Sequence, residues 1–218
     1  MAEVVLHDYW RSTASWRVRI ALNLSGLAWQ RRAVDLRAGD QHRQAHLALN
    51  PQGLVPVLEI DGLHLTQSLA ILDYLEATGR LALVPPDPGQ AARARAVALA
   101  VACDIHPVCN LRVADHVARL TGREETRADW MRATLLPGLA AVERMLDPHG
   151  PFCLGPDLTQ ADLCLIPQLY NAARWGVALD DLPRITRVAA ACAGLDAFRN
   201  ASAEALRPGA DPDLGATG

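Results

Sequence analysis

Two hydroxyl side chains, Ser12 and Thr13, stand where the β-rich run VVLHDYW gives way to helical spacing, and Arg11 immediately precedes them. A hydroxyl at a helix start caps the helix by accepting from a free backbone N–H. Such a start also suits an anion, because its first N–H groups have no intrahelical partner and the helix dipole is positive there. Arg17 and Arg19 follow within the same stretch. Elsewhere Ser68 opens a second helical pattern, and Arg112 and Arg174 lie in later ones. A guanidinium binds a carboxylate through two parallel hydrogen bonds, so these residue types suit carboxylate recognition. Read alone, however, Ser12 and Thr13 support N-cap chemistry and no more. The five cysteines (Cys103, Cys109, Cys153, Cys164 and Cys192) are never spaced as CxxC, and no Cys/His cluster has ligand spacing. A metal site is therefore not expected. Each cysteine reads as a small buried hydrophobe.

These residues must be positioned by regular elements. Ala14, Val18, Ala21 and Leu22 share one helical face, and Gly26 suits the stop. WQRRAVDL is a second strand, and the polar segment after it holds at most a helical turn before Asn50-Pro51. In VPVLEIDGLHLT, Asp61-Gly62 between two apolar runs predicts a hairpin. QSLAILDYLEATG then reads as a helix from near Ser68 to just before Gly79. The N-terminal part is thus β-α-β followed by a hairpin and a helix. Val84 to Gln90, with three prolines and a glycine, reads as a linker. Beyond it the chain is Ala/Leu-rich with helical spacing to about Ala205. Thr159 and Asp162 form a capping box before the helix expected at the centre of the second domain. The expected division is residues 1–83, a linker over 84–90, an all-helical domain over 91–207 and a mobile tail over 208–218.

The 218 residues suffice for a real core. Half are hydrophobic but only 5% aromatic, so the apolar content is Ala and Leu, which favours helix. A net charge of −3 and the lack of any basic run with interleaved aromatics argue against nucleic-acid partners. Charged residues interrupt every apolar stretch before membrane-spanning length. The first residues lack a basic n-region and carry Glu3 and Asp8, so the expected location is the cytoplasm.

An α/β domain, a Pro-rich linker and an all-helical domain together resemble a soluble glutathione transferase. RSTASWRVRIAL resembles the zeta-class signature, NPQGLVPVLEIDG its cis-proline segment, and QSLAILDYLE its turn for a glutathione carboxylate. CDIHPVCNLRV resembles the second-domain segment of bacterial zeta enzymes, which usually reads DIHPxNNLRV. The resemblance implies a thioredoxin-like first domain, a homodimer, glutathione as cofactor, and cis–trans isomerisation of maleylacetoacetate or maleylpyruvate. It places Ser12 and Thr13 at the glutathione sulfur. It assigns glutathione binding to Gln41, Val55-Pro56, Gln67 and Ser68, with Asp104 reaching the neighbouring subunit's γ-glutamyl amine. Arg11, Arg112 and Arg174 would clamp the substrate, with Arg11 also stabilising charge in the reaction. His106 and Asn110, read as i, i+4 neighbours on the helix of Arg112, would add polar contacts. Arg17 and Arg19 are expected to be structural or at a subunit contact.

The implied chemistry is coherent. A free thiol with a pKa of about 8.5 is mostly protonated at neutral pH, and a helix N-terminus, a hydroxyl and nearby cations all favour the thiolate. Its addition to a cis double bond would allow rotation, and the arginines would stabilise the resulting charge. Two positions depart from the family pattern. Ala14 stands where many zeta enzymes carry a cysteine, and Cys109 replaces the first asparagine of the usual pair. The same fold also leaves open a conjugating transferase acting on α-haloacids or other electrophiles, and a non-catalytic binding protein.

Overall fold

The structure is a computed structural model, and it describes residues 3–207. The tail expected over 208–218 lies outside the described residues. The chain forms two compact units, the first ending at Leu81 and the second running from Ala82 to Gly194, with residues 195–207 returning to the first.

The first unit is built on a four-stranded sheet in the order β2-β1-β3-β4. Strand β1 (Val5–Asp8) runs parallel to β2 (Gln30–Ala33), with Leu6 opposite Arg31. The parallel pair needs a crossover, which helix α1 (Thr13–Ser25) supplies. Strands β3 (Val57–Ile60) and β4 (Leu63–Thr66) form the hairpin, and β3 lies antiparallel to β1. Its two-residue turn has Asp61 at φ 52° and Gly62 at φ 77°. Two successive positive φ values are what a tight, right-twisted hairpin turn requires. Helix α2 (Gln44–Leu49) precedes the hairpin and α3 (Ser68–Ala77) follows it, packing on α1. Leu6, Ile20, Leu22, Leu58, Ile71 and Leu75 are fully buried between sheet and helices. This is the thioredoxin-like arrangement.

The C-terminal segment departs from the expected boundary. The short helix α9 (Asp196–Arg199) packs on α1 within the first unit. Asn23 Nδ2 donates to the Ala197 carbonyl at 3.0 Å, and Arg19 Nε donates to the Ala201 carbonyl at 2.9 Å. Phe198 and Ala201 are buried. Helical composition alone assigned this segment to the second domain, and the long-range bonds to α1 override it.

The second unit is all-helical among the described residues: α4 (Pro88–Leu99), α5 (Leu111–Thr121), α6 (Thr126–Met145), α7 (Gln160–Arg174) and α8 (Pro183–Ala193). Helix α7 is its centre, packing against α4, α6 and α8. The capping box is formed: Thr159 Oγ1 accepts from the Ala161 N–H at 3.3 Å, and Asp162 Oδ2 accepts from the Thr159 N–H at 2.8 Å. The other Asp162 oxygen accepts from the Cys153 N–H at 2.8 Å.

Two expectations fail in this unit. Residues 106–112 are not one helix. Helix α4 widens into a π-helical segment over Ala100–Ile105, the chain turns, and Asn110 at ψ 141° is the N-cap of α5. Its side-chain oxygen accepts from the Arg112 N–H at 3.1 Å. His106 and Asn110 therefore share no helix face. Pro107 has no N–H for a helical bond, and asparagine favours a capping role over a helix interior. The second failure is Cys103, which is exposed, whereas the other four cysteines are buried as expected.

Candidate active site

The turn between β1 and α1 is held from below by a buried charge network. Asp8, at the end of β1, and Arg19, two turns into α1, are both completely buried. Arg19 Nη1 donates to both Asp8 oxygens at 2.8 Å, and Arg31 Nε donates to Asp8 Oδ2 at 3.0 Å. The other Arg19 nitrogen, Nη2, donates to the Trp10 carbonyl at 3.0 Å. One guanidinium thus ties β1, the turn and the C-terminal segment together. Burial lowers the Arg19 pKa from its ordinary value, and the Asp8 carboxylate opposes that by favouring the cation.

Above this network the turn presents Arg11 and Ser12. Arg11 Nη2 donates to the Tyr9 hydroxyl at 3.2 Å, and its guanidinium lies 4.9 Å from the centre of the Trp10 ring. Stacking on the indole fixes the arginine plane. Its Nε is buried without a hydrogen-bond partner. Ser12 is the N-cap of α1, and its Oγ accepts from the Ser15 N–H at 3.1 Å. As an acceptor in that bond, the hydroxyl keeps its own proton for donation. Of the N–H groups that the helix start leaves without an intrahelical partner, those of Thr13 and Ala14 make no hydrogen bond among the described residues. Thr13 is buried at the first helical position.

The remaining first-unit candidates gather around the Val55-Pro56 peptide, which is cis as the resemblance implied. Pro56 directly precedes β3, whose Val57 pairs with His7 of β1. Its loop is pinned by Asn50 Nδ2 and His46 Nε2, both bonded to the Leu54 carbonyl. Gly53, at φ 63°, lies against the turn of Gln41: a Cβ there would meet His42 at 3.0 Å and the Gln41 carbonyl at 3.3 Å. Gln67 takes φ 66°, a left-handed value uncommon for a residue with a side chain, and its Nε2 donates to Gln52 at 2.9 Å. Strain of this kind concentrates at functional sites. Ser68, buried at the start of α3, accepts from Arg17 Nη1 at 3.2 Å.

Asp104, His106, Asn110, Arg112 and Arg174 lie in the second unit. Asp104 is exposed on the π-helical segment, Arg112 is exposed in the first turn of α5, and Arg174 is the last residue of α7. Burial pushes the Cys109 thiol up to about 11, so the cysteine that departs from the family pattern is a neutral thiol at pH 7. Among the described residues no group of His, Cys, Asp and Glu could hold a metal ion, and no helix is long and apolar enough to cross a membrane.

Sequence reasoning missed Asp8 and underrated Arg17 and Arg19. The signal was present. From Trp16 to Leu22 these arginines are the only polar residues, so the helix has no solvent face to offer them.

Comparison with known proteins bears on this geometry. The description "Glutathione S-transferase, N-terminal domain" matches residues 11–78, and "Glutathione S-transferase, C-terminal domain" matches residues 90–194. A maleylacetoacetate isomerase of Rhizobium meliloti is 52% identical over 210 residues, covering 94% of this chain and 99% of that protein. The holo structure of a bacterial zeta-class maleyl pyruvate isomerase superposes with a TM-score of 0.90 at 40% identity, covering 95% of this chain and 100% of the other. The chain belongs to the zeta class of the glutathione S-transferase family. A second structure, the maleylacetoacetate isomerase of Methylobacterium extorquens AM1 with bound malonate and glutathione, gives a TM-score of 0.89 at 42% identity. It covers 95% of this chain and 99% of that one. Within the glutathione transferase fold, the Ser12 turn, the cis-proline loop and the Gln67-Ser68 pair all sit on the first unit.

Proposed function

We propose that this glutathione transferase is a glutathione-dependent cis–trans isomerase of a maleyl keto acid, maleylacetoacetate or maleylpyruvate. The observation that carries the reading is Ser12: a hydroxyl at a helix N-terminus, fixed as an acceptor by the Ser15 N–H and left with its proton to donate. The unbonded Thr13 and Ala14 N–H groups beside it make the place suited to a sulfur anion, so the residues present fit glutathione. Relatives named for these two isomerisations, and the malonate and glutathione bound to one of them, support the same reading.

Bound glutathione supplies a thiolate whose reversible addition frees the cis double bond to rotate. The chain does the rest. Ser12 donates to the sulfur and favours its charged form, with Thr13 at the same helix start. Val55, preceding the cis-proline, offers its backbone to the cysteinyl residue. Gln67 and Ser68 take the γ-glutamyl carboxylate, with Arg17 orienting Ser68 through the 3.2 Å bond. Gln41 faces the glycyl end, and Asp104 serves the partner subunit's γ-glutamyl amine. Arg11, held by Tyr9 and Trp10, stabilises charge that develops on the conjugated carbonyl. Arg112 and Arg174 bind the substrate carboxylates, and His106 and Asn110 add polar contacts in that unit. The protein acts as a cytoplasmic homodimer in aromatic catabolism.

The test compares turnover of maleylacetoacetate and maleylpyruvate with turnover of dichloroacetate and a chloronitrobenzene. Isomerisation should dominate, and Ser12→Ala should lose rate while retaining most of its binding to a glutathione matrix. Isomerisation no faster than with glutathione alone would refute the proposal.

A further inference from the structure

Two residues assigned to glutathione, Gln41 and Val55, bound a segment whose hold on the sheet is unusual. The segment runs through α2, and of the six residues of that helix only His46 is buried. A surface helix ordinarily docks through an apolar stripe. Here the docking side chain is an imidazole, and it meets a second buried imidazole, His7 of β1. The ring centroids lie 6.3 Å apart and the planes meet at 65°, edge to face. His7 is fixed in turn, because its Nε2 bonds Glu59 Oε1 on β3. That bond holds the Glu59 carboxyl below its ordinary value, so the carboxylate accepts and His7 Nε2 carries the proton. On its far side Glu59 Oε2 lies 3.4 Å from His64 Nε2 of β4.

His46 also reaches the cis-proline loop. Its Nε2 bonds the Leu54 carbonyl at 2.9 Å. A carbonyl only accepts, so the His46 proton is on Nε2. Asn50 Nδ2 donates to the same oxygen at 2.8 Å. The two donors act differently. Asn50 also takes the Gln52 N–H on its side chain and the Gly53 N–H on its carbonyl, both at 3.0 Å, so it shapes the loop from within. His46 fixes the place of the loop, because it joins the Leu54 carbonyl to His7 of the sheet. His7 thus meets this region twice: its ring supports His46, and its backbone stands opposite Val57, the residue after Pro56. We propose that His46 is a positioning residue for glutathione, holding Val55 where its backbone can pair with the cysteinyl residue. The inference rests on the assignment of Val55 to glutathione made above. Ser12 belongs to a different turn, so the chemical step should not depend on His46.

The experiment compares wild type, His46→Phe and His46→Gln by calorimetric titration with glutathione and by steady-state kinetics with maleylacetoacetate. Phenylalanine keeps a ring over His7 but has no donor for the Leu54 carbonyl. Glutamine gives up the ring but carries an amide N–H of similar reach. Loss of one of the two bonds should weaken glutathione about fivefold in His46→Phe, in Kd and in KM, with kcat at saturating glutathione unchanged. His46→Gln should bind glutathione within about twofold of wild type. Unchanged binding by His46→Phe overturns the inference even if its melting temperature falls, because the bond is then structural only. A weakening that glutamine does not recover, or a loss confined to kcat, overturns it too. If a variant does not fold, nitrogen-15 spectra of wild type decide. The His46 Nε2 resonance must move when glutathione is added, and an unmoved resonance overturns the inference. Wild type that does not bind glutathione refutes the site reading itself, and the inference falls with it.

Discussion

Arg19 is the residue on which the geometry of the turn depends most, and Arg19→Met tests that dependence. The substitution keeps an unbranched apolar stem and removes the guanidinium. Asp8 then stays completely buried with Arg31 as its only cation, at 3.0 Å. Removing one partner of a buried pair costs about 3–5 kcal/mol, because the other charge is left without compensation. The remaining Arg31 bond pulls the figure toward the lower end. The loss of donors to the Trp10 and Ala201 carbonyls pulls it back up, at about 1 kcal/mol for each bond. A total near 4 kcal/mol should lower the urea midpoint by about 1.5 M at a slope of about 2.5 kcal/mol/M. Adding Asp8→Asn to the same protein removes the stranded charge and should restore part of the loss. Urea unfolding followed by tryptophan fluorescence reads both. A midpoint change under about 0.4 M for Arg19→Met, the size expected of an exposed pair, would refute the claim that this network holds the turn.

Other consequences follow from single residues. Gln67→Gly should relieve the left-handed φ of 66° and raise stability by about 1 kcal/mol, while the KM for glutathione rises for want of the amide; steady-state kinetics and thermal melting separate the two. Iodoacetamide at pH 8 should label native protein at Cys103 first, because the other four thiols are buried and that of Cys109 is pushed up to about 11; peptide mapping gives the site. The His7 hydrogen bond holds the Glu59 carboxyl below its ordinary value of 4.5. Its stabilisation is therefore present above that value and lost as pH falls through the folded pKa, so wild type and Glu59→Gln should differ in urea midpoint at pH 7 and converge toward pH 3. Gly138→Ala would place a Cβ 2.8 Å from Ile105, an overpacking worth about 1–3 kcal/mol, readable as a lowered melting temperature.

Much of the fold was legible wherever local chemistry decides it. Asp61-Gly62 required a hairpin, Thr159 and Asp162 required a helix start, and Gly26 stopped α1 in the left-handed region, at φ 67°. What could not be read depends on contacts between distant residues. The return of Leu195 and its successors to the first unit rests on Arg19 and Asn23 reaching carbonyls more than a hundred residues away. The break before α5 is a competition between helical spacing, which continues through CDIHPVCNLRV, and the capping preference of Asn110, which won. The site divides in the same way. The helix start at Ser12, the cis-proline and the helix start at Ser68 were legible because their motifs are contiguous, whereas the Asp8–Arg19 pair that holds the turn is visible only once β1 and α1 are packed. Four cysteines followed the rule for small apolar residues; Cys103 did not, because it lies on the outer side of the π-helical segment.

As proposed, the protein uses a thiol held at Ser12 to isomerise without consuming it. The most direct measurement mixes the enzyme with maleylacetoacetate or maleylpyruvate in large excess over glutathione, and follows the trans product and total free thiol together. Many turnovers per glutathione are expected, with the thiol concentration unchanged. Product formation that stops at one equivalent of glutathione, with the thiol lost, would contradict it.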